Sequence, residues 1–257
     1  MRFSFREVAL LNEIRPSTIR DSHVKTVTEL VDLYFPYVRP TDKKQLSPFN
    51  PFNPSQRNLS ERLTPWEARK KGLELHKAIE CYFNGEFTKI SYDNTSKEWK
   101  QFLAFLDNER ILSFQAEMTL ESTEHMMRGR ADLVTHEPFE KFGMIDFKRS
   151  DRISNEYDTD YGYYPTGMLT NFNLKNNEYT RNTLKLNLYR AMLEREGHSV
   201  ESMRIVYFHP NLENYKVVEI KRMEAVTNAI LEDQMRVFNA ELMERWNKFL
   251  SSLLEEH

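Results

Sequence analysis

Apolar positions along this chain recur first with helical spacing and then with the alternation of strands. At 24–33 they fit a helix that stops before Pro36. Thr64-Pro65-Trp66-Glu67 reads as a helix start, with Thr64 as cap, Pro65 in the first turn and Glu67 completing a capping box. Leu73, Ile79, Tyr82 and Phe83 form the apolar face of that helix, and Gly85 ends it. A second helix is predicted over 97–106 on Trp99, Phe102, Leu103 and Leu106. Strands follow at 111–120, 127–135 and 142–147. In the first, Phe114, Ala116, Met118 and Leu120 share one face, and Glu117 points to the other. Segment 151–177 has no period and is rich in Tyr, Asn and Asp. A helix over 182–196 ends at Gly197, and strands are predicted at 203–208 and 215–220. A long amphipathic C-terminal helix carries Val226, Ile230, Phe238, Leu242, Trp246, Phe249 and Leu253, and is expected to pack on its own domain.

Helix, three strands, helix, strand is the order of an α/β (α+β) domain with a mixed central β-sheet flanked by helices. The 257 residues divide into an N-terminal extension, 1–60, holding a Pro/Asn-rich loop at 47–58, and a main domain, 61–257. No apolar run approaches the ~18 residues of a membrane span. Arginines near the start are interspersed with Glu7, Glu13 and Asp21, which fits neither a signal nor a transit peptide. Cys81 is the single cysteine, so no disulfide framework or cysteine metal cluster can form within the chain. These features point to a soluble intracellular protein, cytoplasmic or nuclear, whose metals would be held by oxygen and imidazole nitrogen. With a net charge of -3, any grip on nucleic acid must come from local basic clusters.

Candidate chemistry lies in Gly129-Arg130-Ala131-Asp132 and Ile145-Asp146-Phe147-Lys148. Side chains alternate along a strand, so Asp146 and Lys148 project to the same side, about 7 Å apart at the backbone. With Asp132 on a neighbouring strand, the two carboxylates can share a hard divalent cation, and Lys148 stands where it can orient or deprotonate a water. His76 and Glu80, four apart on a helix, share a face. Arg69-Lys70-Lys71, and Lys148-Arg149 with Arg152, are candidate phosphate contacts. Tyr163 and Tyr164, with Tyr157, Tyr161 and Phe172, either stack on unpaired bases or form a packed lid.

From about Gly72 to Pro210 these motifs, in order, resemble those of PD-(D/E)XK nucleases of the RecB-like branch. Gly72-x-x-x-His76-x-x-Ile79-Glu80 is similar to the first-helix motif, and Glu117 stands in the strand where the family often has a glutamate. Gly129 to Asp132 resembles GxxD, Asp146-Phe147-Lys148 resembles (D/E)xK, and the helix with Tyr189 resembles QxxxY with Lys185 in the glutamine's place. The resemblance implies a restriction-endonuclease-like core and a metal-dependent deoxyribonuclease, an exonuclease on single-stranded DNA ends or flaps. An endonuclease on DNA or RNA, or a catalytically silent binding module, are the alternatives. It implies Lys148, Asp132 and Asp146 as catalytic residues, and Mg²⁺ or Mn²⁺ on His76, Asp132, Asp146 and the backbone carbonyl of Phe147. Glu80 and Glu117 would be direct ligands, ligands through water, or partners of basic residues. Lys185 and Tyr189 would lie near the substrate strand. No GxxxxGK[ST] string occurs, so a helicase, or another replication or repair partner, would be a separate chain.

Overall fold

In the computed structural model, residues 24–37, 63–150, 153 and 163–255 are described. Strand β1 (Lys25–Thr26) runs directly into helix α1 (Val27–Tyr34). Thr26 caps α1: its hydroxyl accepts from the Glu29 amide at 3.1 Å, and the Glu29 carboxylate takes the Thr26 N–H at 2.7 Å. Val27, Leu30, Val31 and Tyr34 bury one face of this helix in the main core. Residues 24–37 are therefore part of the domain, not of a separate extension. The rest of 1–60, with the Pro/Asn-rich loop, lies outside the described residues.

Helix α2 (Pro65–Phe83) begins on the Thr64–Glu67 capping box as predicted, and α3 (Lys97–Glu109) begins on Ser96. Three strands follow, β2 (Ser113–Ser122), β3 (Met127–Glu137) and β4 (Lys141–Arg149). Helix α4 (Glu178–Arg195), strands β5 (Ser199–Phe208) and β6 (Lys216–Glu219), and helix α5 (Glu224–Glu255) complete the described chain. Capped by Asn177, α4 starts four residues before its predicted position. Val226, Ile230 and Leu231 of α5 enter the core, and buried Arg190 ties α4 to α5 by pairing with Glu224. Among the described residues, no helix is long and apolar enough to cross a membrane.

The six strands form one mixed sheet in the order β1-β3-β4-β5-β6, with β2 on the other edge of β3. Helices α1, α4 and α5 pack on one face, and α2 and α3 on the other. This is the mixed sheet flanked by helices that the order of predicted elements implied. Two irregularities place the site. Antiparallel pairing of β3 with β4 reaches only to Leu133↔Ile145, while β4 stays paired with β5 as far as Arg149↔Phe208. The sheet therefore forks beside Asp132 and Asp146. At the same level β2 and β3 both change face. Ala116 and Leu133 pack toward α2 and α3, whereas Leu120 and Ala131 pack toward α1 and α4. In β2 the reversal falls on Glu117, whose φ of 50° is left-handed, so Ala116 and Leu120 do not share the face that simple alternation predicts.

Candidate active site

Where β3 and β4 part, the amide of Phe147 loses its strand partner. Asp132 replaces it, with Oδ2 accepting from Phe147 N at 2.9 Å. An extended residue turns its N–H and C=O to the same edge, so the Phe147 carbonyl also faces the fork. His76 reaches Asp132 from α2, with Nδ1 3.4 Å from Oδ2. The pairs Ala116↔Leu133 and Met118↔Ala131 set Glu117 opposite Asp132 on the neighbouring strand. One ligand atom each from His76, Glu117 and Asp132 lies within 4.8 Å of the others.

Like charges directly opposite in a sheet repel, and a left-handed backbone at a glutamate adds strain. Burial, then the charge of Asp132, push the Glu117 carboxyl up to about 7, against the pull of Arg130, whose Nε lies 2.5 Å from it. A divalent cation would relieve that repulsion, and two carboxylates with an imidazole suit Mn²⁺ or Mg²⁺. The residues present therefore fit such an ion. Glu80 stands outside this group. It pairs with Lys77 at 2.8 Å, though its charge also reaches Glu117.

Asp146 is placed otherwise. Only 2% exposed, it points toward α4, where Lys185 donates to Oδ1 at 2.9 Å and Lys148 Nζ lies 2.6 Å from Oδ2. Burial raises its pKa, but the two ammonium groups outweigh burial and hold the carboxyl well below its ordinary range. Asp146 and Lys148 thus share a face as predicted, while neither oxygen of Asp146 joins the His76–Glu117–Asp132 group. Lys185 is thus paired with an acid of the site, and its Nζ also lies 5.6 Å over the Tyr189 ring. Lys185 and Tyr189 line a cleft of about 510 Å³ together with His76, Glu117 and Asp132.

Gly129 has a packing reason. A methyl group there would overlap the ring of buried Tyr189 and crowd Val27. The GxxD glycine is thus the seat of the tyrosine from the QxxxY-like helix, two motifs locked by one contact.

Other expectations need correction. Arg149 does not face substrate. Its side chain is 2% exposed and pairs with Glu98 of α3 at 2.8 Å, which pins the end of β4. Tyr163 is packed, stacked on Phe35 at 6.2 Å and edge-on to Tyr37 at 5.2 Å, which matches the lid alternative; Tyr164 is exposed. Arg69 and Lys70 are exposed on α2, with Lys71 half-buried beside them. Arg152, Tyr157 and Tyr161 lie outside the described residues. Sequence reasoning missed Arg130 as the partner of Glu117 and Glu98 as the partner of Arg149. The second pair spans 51 positions and leaves no local signal.

No protein-family model matches the chain, and no curated protein does. Solved structures similar to it include exonucleases. An alkaline exonuclease from Laribacter hongkongensis is 10% identical, covering 91% of this chain and 95% of its own, with a TM-score of 0.40. A phage-related exonuclease from Haemophilus somnus is 12% identical, covering 84% and 99%, with a TM-score of 0.31. A functional reading of this chain rests on the cleft itself.

Three outcomes are expected. Gly129→Ala should destabilise the protein by about 1–3 kcal/mol in urea unfolding, and adding Tyr189→Leu should recover part of the loss. Glu117, raised above its ordinary 4.5, binds its proton more tightly folded than unfolded. Stability of the metal-free protein should therefore fall as pH rises from about 4.5 to about 7, and Glu117→Gln should flatten that slope. Mn²⁺ affinity should rise over the same window with proton release, read by calorimetry in buffers of different ionisation enthalpy.

Proposed function

We propose that this protein is a divalent-metal-dependent deoxyribonuclease, acting as an exonuclease on single-stranded DNA ends or flaps. The observation that carries the reading is the fork in the sheet. It gathers His76, Glu117 and Asp132 on a cleft also lined by Lys185, which reaches the Asp146–Lys148 pair behind it, and these residues follow the motif order of the RecB-like nucleases. His76, Glu117 and Asp132 would hold Mg²⁺ or Mn²⁺, with the Phe147 carbonyl facing the same opening and Asp146 joining by turning from its lysines. A bound cation there supplies Lewis acidity and a water of lowered pKa.

The chain's own residues supply the rest. Lys148 aligns the attacking water and meets charge that develops on the phosphoryl oxygens. Asp146 positions that ammonium, with Lys148 Nζ 2.6 Å from Oδ2. Arg69, Lys70 and Lys71 take up backbone phosphates, and Lys185 stands where it can do the same once Asp146 turns. The preference for unpaired strands rests on exposed aromatic rings, Tyr164 among them. One observation favours a silent binding module instead: two lysines already occupy Asp146.

End-labelled linear and covalently closed circular single-stranded DNA, incubated with Mn²⁺, with Mg²⁺ or with chelator, separate the readings. The linear strand should be degraded and the circle left intact; a cut circle means an endonuclease, and binding without cutting means the silent module. Asp132→Asn and Asp146→Asn should each remove nearly all cleavage, because a neutral amide binds a divalent cation poorly. Lys148→Ala should lower the single-turnover rate by orders of magnitude with gel-shift affinity largely retained. Equal loss of rate and affinity would make Lys148 a phosphate anchor.

A further inference from the structure

Helix α2 exposes two large apolar side chains. Trp66 is 69% exposed and Leu73 63% exposed, although periodicity assigned Leu73 to the buried face. Leu75, Ala78 and Ile79 take the core instead. Trp66 and Leu73 are seven positions apart, so they stand on one face, two turns from each other. Arg69 lies between them on that face, and His76 is one turn beyond Leu73. Leu73 and His76 line the cleft together. The stripe thus runs from an exposed indole into the candidate active site.

Two large apolar side chains held in water on one helical face leave transferable surface uncovered. Basic side chains flank them, although Lys70 also pairs with Glu74 at 3.8 Å and Arg130 with Glu117. Lys70 Nζ lies 5.6 Å over the Trp66 ring, and Arg128 and Arg130 line the cleft. An aromatic ring among basic side chains suits a polyanion that also offers flat apolar faces, which describes an unpaired nucleic-acid strand.

We infer that Trp66 is a base-stacking residue that holds an unpaired DNA strand entering the cleft, with Leu73 covering the strand between that stack and His76. This deepens the nuclease reading and rests on it. Ten residues separate Trp66 from His76, a rise of about 15 Å. At about 3.4 Å per stacked nucleotide that is roughly four nucleotides. The stacked base therefore lies about four nucleotides from the phosphate in the site, so short strands cannot engage both.

Anisotropy titrations of oligothymidylates, from dinucleotide to dodecamer, test this in the full chain. Trp66→Ala should weaken dodecamer binding by roughly 5- to 150-fold, the equivalent of one lost stack of ~1–3 kcal/mol. Trp66→Phe should recover much of it. The defect should shrink as the strand shortens past about four nucleotides and be least on the dinucleotide. Phe139→Ala, at a ring 92% exposed in the β3–β4 connection, should bind like the parent. Dodecamer affinity unchanged by Trp66→Ala overturns the inference, and so does an equal defect at every length. Cleavage by the parent protein is scored separately. Cleavage with Trp66-independent binding leaves the nuclease reading standing without the stack, whereas Trp66-dependent binding without cleavage keeps the stack and removes the nuclease.

Discussion

Phe147 donates its amide to the Asp132 carboxylate where β3 and β4 separate, and the cleft depends on that hydrogen bond. A strand that leaves its neighbour exposes backbone groups, and a buried amide without a partner costs about 1–3 kcal/mol. Asp132 supplies the partner from the strand being left. The same carboxylate then faces His76 from one layer of helices and Glu117 from the next strand. One side chain both lets the sheet open and furnishes the opening with charge.

Around that bond the charges are sorted. On the α2 side, two carboxylates and an imidazole are gathered with Arg130 beside Glu117 and Lys185 acting from farther off, and burial with the charge of Asp132 still raises the Glu117 pKa. On the α4 side, Asp146 is buried between two ammonium groups that hold it ionised. The first arrangement is short of positive charge and the second is supplied with it. The fork thus separates a carboxylate–imidazole group that carries surplus negative charge from a carboxylate already neutralised by lysines.

Local signals served well where local physics governs. Thr64, Pro65 and Glu67 announce the start of α2, and the structure has the capping box there. Alternation placed Asp146 and Lys148 on one side of β4, where they meet. Alternation failed at Glu117, because one left-handed residue reverses the face of everything after it, and no residue type marks that conformation at a glutamate. Arg149 looked like a surface cation because its neighbours in sequence are polar. Its partner Glu98 is on another element, and burial turned a candidate phosphate contact into an anchor for β4.

The sequence by itself determined the order and type of the elements after β1, the mixed sheet between helices, and His76, Glu117, Asp132 and Lys185 as candidates that the cleft brings together. These follow from periodicity, caps and residue chemistry, which act within a few positions. Tertiary structure alone decided that β3 and β4 fork at Asp132, that Asp146 faces two lysines while Glu117 joins His76, and that Gly129 seats Tyr189. Each of these is a contact between residues far apart in the chain. Their partners are chosen by packing and by the need to satisfy buried polar groups, and neither is written in local spacing.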